Sequence, residues 1–369
     1  MTTVAIIGAG IIGAALADQL ARLGASVTVL DSRPTAEATS SSSLAWLNAN
    51  QKLPRNYHEF SVEAMRAWQE LAEGIGRPGW YRASGGLTWA VGDDDHPELV
   101  ERIDRLRSWG YPAQLLTFAD ARKLEPQLHL PDEAVVARFP SEGYVHGESA
   151  VTALLARARE SGARVVRTGA DATIRIDDGR ISALRVAGDT VKADVYVCCA
   201  GWRTNYLLES ADVAVPLVQG DEVGSSAPCL VVRTSGQAPL GHIVHAPALT
   251  MRPTEDGLHL EASDLNATVD ANTTPETLNG HGRELLRRAR QVLPGYDGVV
   301  TDARICIRPL PVDGHPIVGW LPSLPNAYLA VTHSGITLAP LIARLAAKEI
   351  RGCNTEDALA SYRPSRFPG

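Results

Sequence analysis

The chain has 369 residues, of which 45% are hydrophobic, and a formal net charge of -7. This length is sufficient for two domains with separate cores. The acidic balance and the lack of a dense basic stretch argue against nucleic acid as the main partner. No apolar run reaches membrane-spanning length, since the best one, at 336–350, contains Pro340, Arg344 and Lys348.

The first residues and the cysteines of the chain bear on its cellular compartment and on metal binding. The first strand is predicted to begin at residue 4, which leaves no room for a signal peptide. The five cysteines have neither CxxC nor zinc-ligand spacing. We therefore predict no metal site and expect a reducing, cytoplasmic location.

The first predicted strand, at 4–7, runs into the sequence Gly8-x-Gly10-x-x-Gly13, which opens a helix expected to end near Leu23. Gly8 allows a tight turn, Gly10 lets a pyrophosphate approach the backbone, and Gly13 lets the helix pack closely on the strand. The free N–H groups of the helix, near Ile11 and Ile12, then face the phosphate.

A second predicted strand, at 26–30, ends in Asp31, followed by Ser32 and Arg33. A carboxylate in this place hydrogen-bonds a ribose diol in dinucleotide-binding βαβ units. The alternative is a glycine-rich turn of an ordinary α/β protein. Strand, turn, helix and acid all lie where the motif needs them, which favours a dinucleotide site.

The polar loop at 34–51 has two interpretations. A serine run is usually a flexible linker. Because this one follows the ribose-binding acid, it can instead wrap around the phosphates and ring of a long cofactor. The residues assigned to that second role are Ser41, Ser42, Ser43, Ala45, Trp46 and Leu47.

The remaining pattern alternates between helices and strands. Apolar spacing predicts helices at 57–75, 97–109, 118–124, 149–161, 276–293 and 338–350. Strands are predicted at 87–91, 163–166, 191–199, 304–309 and 327–332, and a hairpin turns at 177–179. This order is typical of a parallel α/β core interrupted by mixed α+β segments, so the nucleotide domain is expected to be discontinuous.

Two C-terminal stretches carry a family resemblance. One reads Arg308-Pro309-x-x-x-Asp313-Gly314-x-Pro316-Ile317-x-Gly319, and the other reads Thr332-His333-Ser334-Gly335-Ile336-Thr337 and precedes a helix. With the first fingerprint and the strand before Ala200-Gly201-Trp202, they resemble the D-amino-acid oxidase superfamily of flavoproteins, in its glycine oxidase and sarcosine oxidase branch. The resemblance covers essentially the whole chain.

The resemblance implies a fold of class α/β plus α+β, in which a Rossmann-type FAD-binding domain is joined to a substrate domain on a large mixed β-sheet. We expect the FAD domain to comprise 1–85, 145–212 and 310–369, and the substrate domain 86–144 and 213–309. The flavin is expected to contact Ala172, Ala200, Gly201, Trp202, Arg308, His333, Ser334, Gly335, Ile336 and Thr337, in addition to the N-terminal residues named above.

Arg308 is the predicted substrate-binding residue, because the family holds the substrate carboxylate with an arginine at this place in the motif. A guanidinium gives bidentate, charge-assisted hydrogen bonds to a carboxylate. The alternative is an ion pair with a surface acid. Arg252 is a weaker candidate for a second anion site, and a solvated strand end is an equal alternative.

Cys306 lies seven residues before Asp313. Monomeric sarcosine oxidases are similar here and carry a cysteine bonded covalently to the flavin. The Arg-Pro that follows is the glycine-oxidase form, so we expect FAD to bind without a covalent bond and Cys306 to be a core residue. No lysine aligns with the one that sarcosine oxidases use to activate oxygen.

The function implied by the resemblance is oxidation of the Cα–N bond of glycine, an N-substituted glycine or a small amino acid to an imine. Hydrolysis then gives an oxoacid and an amine, and O2 is reduced to H2O2. The alternatives are a dehydrogenase of the same fold that passes electrons to a quinone or carrier protein, and a sarcosine-oxidase-like demethylase. The sequence leaves open the substrate, the stereochemistry, the oligomeric state and the position of a pocket lid within 213–266.

Overall fold

The computed structural model describes residues 1–34, 38–92, 95–238, 240–353 and 355–367. The chain forms two large β-sheets and two small ones. Helices cover the first large sheet, and the second large sheet carries its own helices and core.

Strands occur throughout the described residues. In chain order they are β1 Thr3–Ile7, β2 Ser26–Asp31, β3 Trp46–Leu47, β4 Tyr81–Arg82, β5 Gly86–Ala90, β6 Gln114–Leu116, β7 Val135–Phe139, β8 Gly143–Val145, β9 Arg164–Arg167, β10 Thr173–Asp177, β11 Arg180–Val186, β12 Asp189–Val191, β13 Val195–Cys198, β14 Pro228–Ser235, β15 Ile243–Ala246, β16 Leu249–Pro253, β17 Leu258–Glu261, β18 Val299–Ile307, β19 Ile317–Leu321 and β20 Leu324–Val331.

The helices range from single turns to 20 residues. In chain order they are α1 Ile11–Arg22, α2 Thr39–Ser42, α3 Arg55–Gly74, α4 Asp95–Ser108, α5 Phe118–Leu124, α6 Gly147–Glu160, α7 Thr204–Leu208, α8 Ser263–Asn266, α9 Pro275–Val292, α10 Gly335–Ile350 and α11 Glu356–Leu359. Within the described residues, none of them is both long enough and apolar enough to cross a membrane.

The first large sheet has the order β19-β20-β13-β1-β2-β9, and its strands are parallel except for β19. Its central strands are continuous apolar runs because both faces are covered, one by helices and the other by β10 and β11. The carboxyl ends of β1, β2 and β13 meet at one edge, where parallel α/β sheets bind ligands.

Helix α10 is anchored on α3 by a hydrogen bond that its own proline makes available. Pro340 has no N–H to donate to the carbonyl of Ile336, four residues earlier. The indole Nε1 of Trp68, a buried residue of α3, donates to that carbonyl instead, at 2.8 Å. The amino end of α10 is thereby fixed beside the edge of the sheet.

The second large sheet has the order β18-β14-β17-β16-β15-β5-β7-β6 and is antiparallel except for the pair β15 and β5. Helices α5 and α9 pack on it around a separate apolar core. The predicted combination of a Rossmann-type fold with a large mixed sheet is confirmed.

The strands of the two large sheets follow the predicted domain boundaries more closely than the hydrophobic cores do. Strands at 86–139 and 228–307 all belong to the second sheet. Leu99, Ile103 and Leu106 of α4, however, pack in the core that α1, α3 and α10 share. The division into two domains stays a prediction.

The serine loop, for which two interpretations are open, contains the single helical turn α2 and is therefore not a plain linker. Two local predictions differ from the structure. The strand predicted at 191–199 is split into β12 and β13, because β12 pairs with β11 in a small sheet whereas β13 pairs with β1 and β20 in the first large sheet. Helix α10 begins at Gly335, three residues earlier than its apolar pattern indicates.

Candidate active site

One cavity of about 480 Å³ lies where the two large sheets meet. Its walls are the ends of β1 and β2, the loop at 38–52, the segment at 199–207, the ends of β14, β17 and β18, and residues 330–337. The predicted cofactor residues that line it are Gly8, Gly10, Ile11, Ile12, Asp31, Ser32, Arg33, Ser43, Ala45, Trp46, Ala172, Ala200, Gly201, Trp202, Arg308, His333, Ser334, Gly335, Ile336 and Thr337.

The glycines of the first turn leave no room for side chains. Gly8 has a φ of +109°, and a Cβ on it would lie 2.3 Å from the carbonyl oxygen of Cys199. A Cβ on Gly13 would lie 2.0 Å from the carbonyl oxygen of Gly8. Gly13 therefore serves helix–strand packing and does not line the cavity. Gly10 does line it, and its nearest neighbour on that side is the Ser40 hydroxyl.

Asp31 fixes the turn against the next strand. Its Oδ2 accepts the Ala9 N–H at 2.7 Å, and its Oδ1 accepts the Arg33 N–H at 2.9 Å. The carboxylate lies on the cavity wall, as a ribose-binding acid would. We call Gly8, Gly10 and Asp31 together the dinucleotide end of the cavity.

An aromatic and charged wall continues from the dinucleotide end. The guanidinium of Arg33 lies 5.8 Å from the ring centroid of Trp202, close enough for a cation–π contact. Arg203 forms an ion pair with Asp171 beside it. These side chains give the cavity a flat, polar-edged surface that suits a purine base and its ribose.

The serine loop contributes one side-chain hydrogen bond to the start of α1 and two buried side-chain oxygens that have no partner among the described residues. Ser40 Oγ accepts the Ile11 N–H at 3.0 Å, at the start of α1. Ser43 Oγ and Asn48 Oδ1 are buried in the cavity wall and have no hydrogen bond to the described residues. Buried polar atoms in native proteins are nearly always satisfied, so these two mark a polar ligand.

The other predicted residues of this loop do not line the cavity. Ser41, Ser42 and Leu47 are buried behind it, because the turn of α2 and the short strand β3 direct them away from it. Ser40, which the prediction left out, takes the place beside Gly10.

A buried glutamate that the sequence did not reveal organises the loop at 46–50. Glu142 is 1% exposed. Its Oε1 accepts hydrogen bonds from the backbone N–H groups of Ala49 and Asn50, both at 3.1 Å, and from Tyr111 Oη at 2.9 Å. Its Oε2 accepts from the indole of Trp46 at 3.0 Å. One carboxylate thus holds Trp46 in the cavity wall and fixes the backbone just before Lys52.

Lys52 is the second residue that the sequence did not reveal. Its side chain lines the cavity, and its Nζ donates to Ser334 Oγ at 2.9 Å. Tyr57 Oη donates to the same oxygen at 3.0 Å. Burial lowers the pKa of Lys52 to about 8, although the Glu142 carboxylate acts in the opposite direction.

The start of α10 completes this side of the cavity. Ser334 is the residue before its first turn, and Thr337 Oγ1 donates to the Trp46 carbonyl at 3.1 Å. Burial, together with the charges of Arg308 and Lys52, lowers the pKa of His333 to about 3. His333 is therefore neutral at physiological pH and is not a cationic anchor.

Arg308 extends from the end of β18 into the cavity wall. Its Nη2 donates to the carbonyls of Ser226, at 2.6 Å, and Pro228, at 3.4 Å. Its Nη1 has no hydrogen bond to the described residues, and no carboxylate among them pairs with the guanidinium. Arg308, Lys52, His333 and Ser334 form what we call the cationic end.

Arg252 does not line this cavity. It is 2% exposed, its Nη2 donates to His259 Nδ1 at 2.5 Å, and its guanidinium lies over the Tyr144 ring. Burial lowers its pKa to about 10. The structure thus encloses Arg252 between His259 of β17 and Tyr144 of β8, away from the residues that line the cavity.

Cys306 lines the cavity from β18, directly opposite Cys229 on β14. Burial raises its pKa to about 12. A thiol is nucleophilic as its thiolate, so Cys306 is chemically quiet in this environment.

FAD fits these residues on three counts. The turn at Gly10 gives a diphosphate access to the backbone N–H groups that begin α1. The unpartnered Ser43 and Asn48 oxygens need a polar ligand. The amino end of α10 offers partial positive charge where a reduced flavin carries negative charge.

Comparison with known proteins agrees. The FAD-dependent oxidoreductase (DAO) family profile matches residues 3–349. Glycine oxidase of Geobacillus kaustophilus (strain HTA426) is 25% identical over 383 residues, covering 99% of this chain and 97% of that one. The uncharacterized oxidoreductase YurR of Bacillus subtilis (strain 168) is 24% identical over 380 residues, covering 99% of both chains. The crystal structure of glycine oxidase from Geobacillus kaustophilus covers 100% of both chains with a TM-score of 0.84 at 24% identity.

The predicted resemblance is therefore confirmed, and the likeness to the solved structure shows the fold. Relatives at about one quarter identity support FAD-dependent oxidation of an amine or amino acid in general terms. The chain belongs to the FAD-dependent oxidoreductase family and is an enzyme of the amino-acid oxidase type that uses FAD.

Proposed function

We propose that the enzyme oxidises the Cα–N bond of glycine, an N-substituted glycine or another small amino acid. The substrate carbon loses a hydride and its nitrogen loses a proton, which gives an imine. Water adds to the imine and releases an oxoacid and an amine. The two electrons reduce O2 to H2O2 with uptake of a proton, and the reaction takes place in the cytoplasm.

The observation that carries this proposal is the Arg308 guanidinium on the cavity wall, which pairs with no carboxylate of the described residues. Backbone carbonyls fix its orientation and leave Nη1 unpaired. A carboxylate bound there gains a charge-assisted hydrogen bond, and it orients the neighbouring Cα–N bond. FAD, when bound, accepts the hydride.

The protein supplies positioning and an apolar surround for the substrate amine. Trp46 is held by Glu142 and covers one part of the cavity, while neutral His333 adds no positive charge next to it. A substrate amine therefore meets no fixed cation apart from those of the cationic end. A weakly solvated site of this kind favours the neutral amine, the form that can lose a hydride.

The first experiment is anaerobic addition of glycine, sarcosine and D-alanine to the purified holoenzyme, followed by the visible flavin spectrum. We expect at least one amine to bleach the flavin, and air to restore the colour with formation of H2O2. Bleaching without peroxide in air would indicate a dehydrogenase that uses another electron acceptor. A flavin that none of these amines or larger N-substituted glycines reduces would overturn the substrate proposal.

A matched pair of variants tests the role of Arg308. Arg308→Gln is expected to lower kcat/KM by about 100-fold or more, because the substrate carboxylate loses its charged partner. Arg304 lies four residues earlier on β18, pairs with Asp302 and does not line the cavity. Arg304→Gln should therefore stay within about threefold of the wild type. Equal effects of the two variants would contradict the assignment.

A further inference from the structure

The cationic end holds more positive charge than one carboxylate can neutralise. Lys52 and Arg308 both line the cavity, and neither pairs with a carboxylate of the described residues. The amino end of α10 adds the partial charge of a helix dipole. Each unpaired charge in a partly buried site is costly, which indicates that anions bind there.

The acids near this end are already engaged. Glu142 accepts several hydrogen bonds and lies behind the loop. Glu261 lines the cavity, but it accepts the Asn266 amide at 3.0 Å and lies beside Cys229 and Cys306. Asp31 belongs to the dinucleotide end. No described carboxylate therefore forms an ion pair with Lys52.

The cofactor does not remove the imbalance. The phosphates of a dinucleotide belong at the Gly10 turn, where they face the backbone N–H groups that begin α1, and an oxidised flavin ring is uncharged. His333 lines the same cavity, and burial together with the charges of Arg308 and Lys52 lowers its pKa, so it adds no positive charge there. In the oxidised holoenzyme both Lys52 and Arg308 therefore still lack an anionic partner among the described residues.

The two cations, Lys52 and Arg308, are held in place by different elements of the fold. Arg308 is fixed to the segment at 226–228 by its hydrogen bonds to backbone carbonyls. Lys52 is fixed to Ser334, which Tyr57 also contacts, and Glu142 holds the backbone just before it. These hydrogen bonds hold both side chains in place before a ligand binds, so the pair is preorganised.

We propose that the substrate is a secondary amine with a carboxylate on each side of the nitrogen, an N-carboxyalkyl amino acid, with Arg308 binding one carboxylate and Lys52 the other. This inference rests on the proposed function, because it takes Arg308 as the carboxylate anchor. It narrows the substrate class from any small amino acid to dicarboxylates. Lys52 is the residue that sets this specificity.

The test uses two ligands that cannot be oxidised at a C–N bond. Diglycolate carries two carboxylates around an ether oxygen, and methoxyacetate is the same molecule with a methyl group in place of one –CH2–COO⁻ arm. Each is titrated into the oxidised holoenzyme, and the shift of the visible flavin band gives Kd. This measurement is independent of turnover.

We expect diglycolate to bind the wild-type enzyme about thirtyfold or more tightly than methoxyacetate. In Lys52→Met that ratio should fall to within about threefold, and Lys52→Arg should retain most of it because the charge is kept. Lys348 is exposed near the other end of α10, so Lys348→Met is the matched control and should retain the wild-type ratio. A wild-type ratio near one, or equal loss for both ligands in Lys52→Met, would overturn the inference.

Turnover separates this inference from the proposed function. If iminodiacetate is oxidised with a higher kcat/KM than sarcosine, both stand. If sarcosine or glycine reduces the flavin and dicarboxylates bind no better, the inference fails and the proposed function survives. If neither these amines nor larger N-carboxyalkyl amino acids reduce the flavin, the proposed function itself fails.

Discussion

The dinucleotide end of the cavity is built from neighbours in sequence, whereas the cationic end is assembled from distant segments. Gly8, Gly10 and Asp31 lie within 24 residues of one another and act largely through backbone contacts. At the cationic end, Lys52 and Ser334 are 282 positions apart and are joined by side chains.

This difference separates two kinds of function. A backbone turn with a helix start recognises a diphosphate that all FAD enzymes share, and it tolerates little variation because glycine is required at each close contact. The side chains of the cationic end can be substituted one at a time, so this end determines which substrate is bound. The predictions below test the two ends separately.

The largest effect is expected from a single methyl group at the dinucleotide end. In Gly13→Ala the new Cβ would lie 2.0 Å from the Gly8 carbonyl oxygen, so α1 and the turn must move apart. The purified variant should retain less than about a tenth of the wild-type flavin, because the phosphate-binding backbone is displaced. Flavin content per protein and the melting temperature measure this.

Gly74→Ala is the matched control for that variant. Gly74 closes α3, and a Cβ there meets nothing within 4 Å. Alanine is favoured over glycine in a helix by about 0.5–1 kcal/mol, so this variant should keep its flavin and match or exceed the wild-type melting temperature. Normal flavin content in Gly13→Ala would show that the turn has more freedom than its contacts indicate.

The contrast between the two ends also explains how much the sequence could predict. Gly8, Gly10, Asp31 and Arg308 belong to motifs with local spacing, and the structure places all four on one cavity. Lys52 and Glu142 carry none, because one follows a polar loop and the other lies between short strands. Their roles come from contacts across more than 90 positions, and no local pattern encodes such contacts.

A large but different effect is expected at Glu142. Glu142→Ala leaves the N–H groups of Ala49 and Asn50, the Trp46 indole and the Tyr111 hydroxyl without their acceptor. We expect the free energy of unfolding to fall by about 3 kcal/mol or more, since each buried unpaired donor is costly. Denaturant unfolding of the holoenzyme measures this change.

Glu133→Ala provides the comparison for Glu142, because Glu133 is exposed in a turn and should change stability by less than about 0.5 kcal/mol. We also expect Glu142→Ala to retain more flavin than Gly13→Ala, since the dinucleotide end is left intact. Complete loss of flavin in Glu142→Ala would mean that the two ends do not act separately.

A smaller effect is expected from pH at the cationic end. The pKa of Lys52 is lowered to about 8, so its ammonium population falls as the pH rises through that value, while the Arg308 guanidinium stays charged. His333 is neutral throughout this range, and burial keeps the Tyr57 hydroxyl protonated. The preference for diglycolate over methoxyacetate should therefore decrease by up to about tenfold per pH unit above 8.

The measurement is the ratio of the two dissociation constants between pH 6 and pH 10, in wild type and in Lys52→Arg. Arginine stays protonated over this range, so the variant should show a ratio that does not depend on pH. A constant ratio in the wild type would place the titration of Lys52 outside the range or remove it from the binding of dicarboxylates.

The smallest effect is expected at Cys306, which lies on the cavity wall and has no task at either end. Burial raises its pKa to about 12, so little thiolate exists to attack a flavin. Acid precipitation should release the flavin from the wild type into the supernatant. Cys306→Ala should behave in the same way and lose only about 1 kcal/mol of stability through reduced packing against Cys229.

Flavin that stays with the precipitated wild-type protein, and is released from Cys306→Ala, would instead show a covalent bond through this thiol. Cys229→Ala is the control for that result, because it removes the opposite thiol on β14 and leaves Cys306 in place.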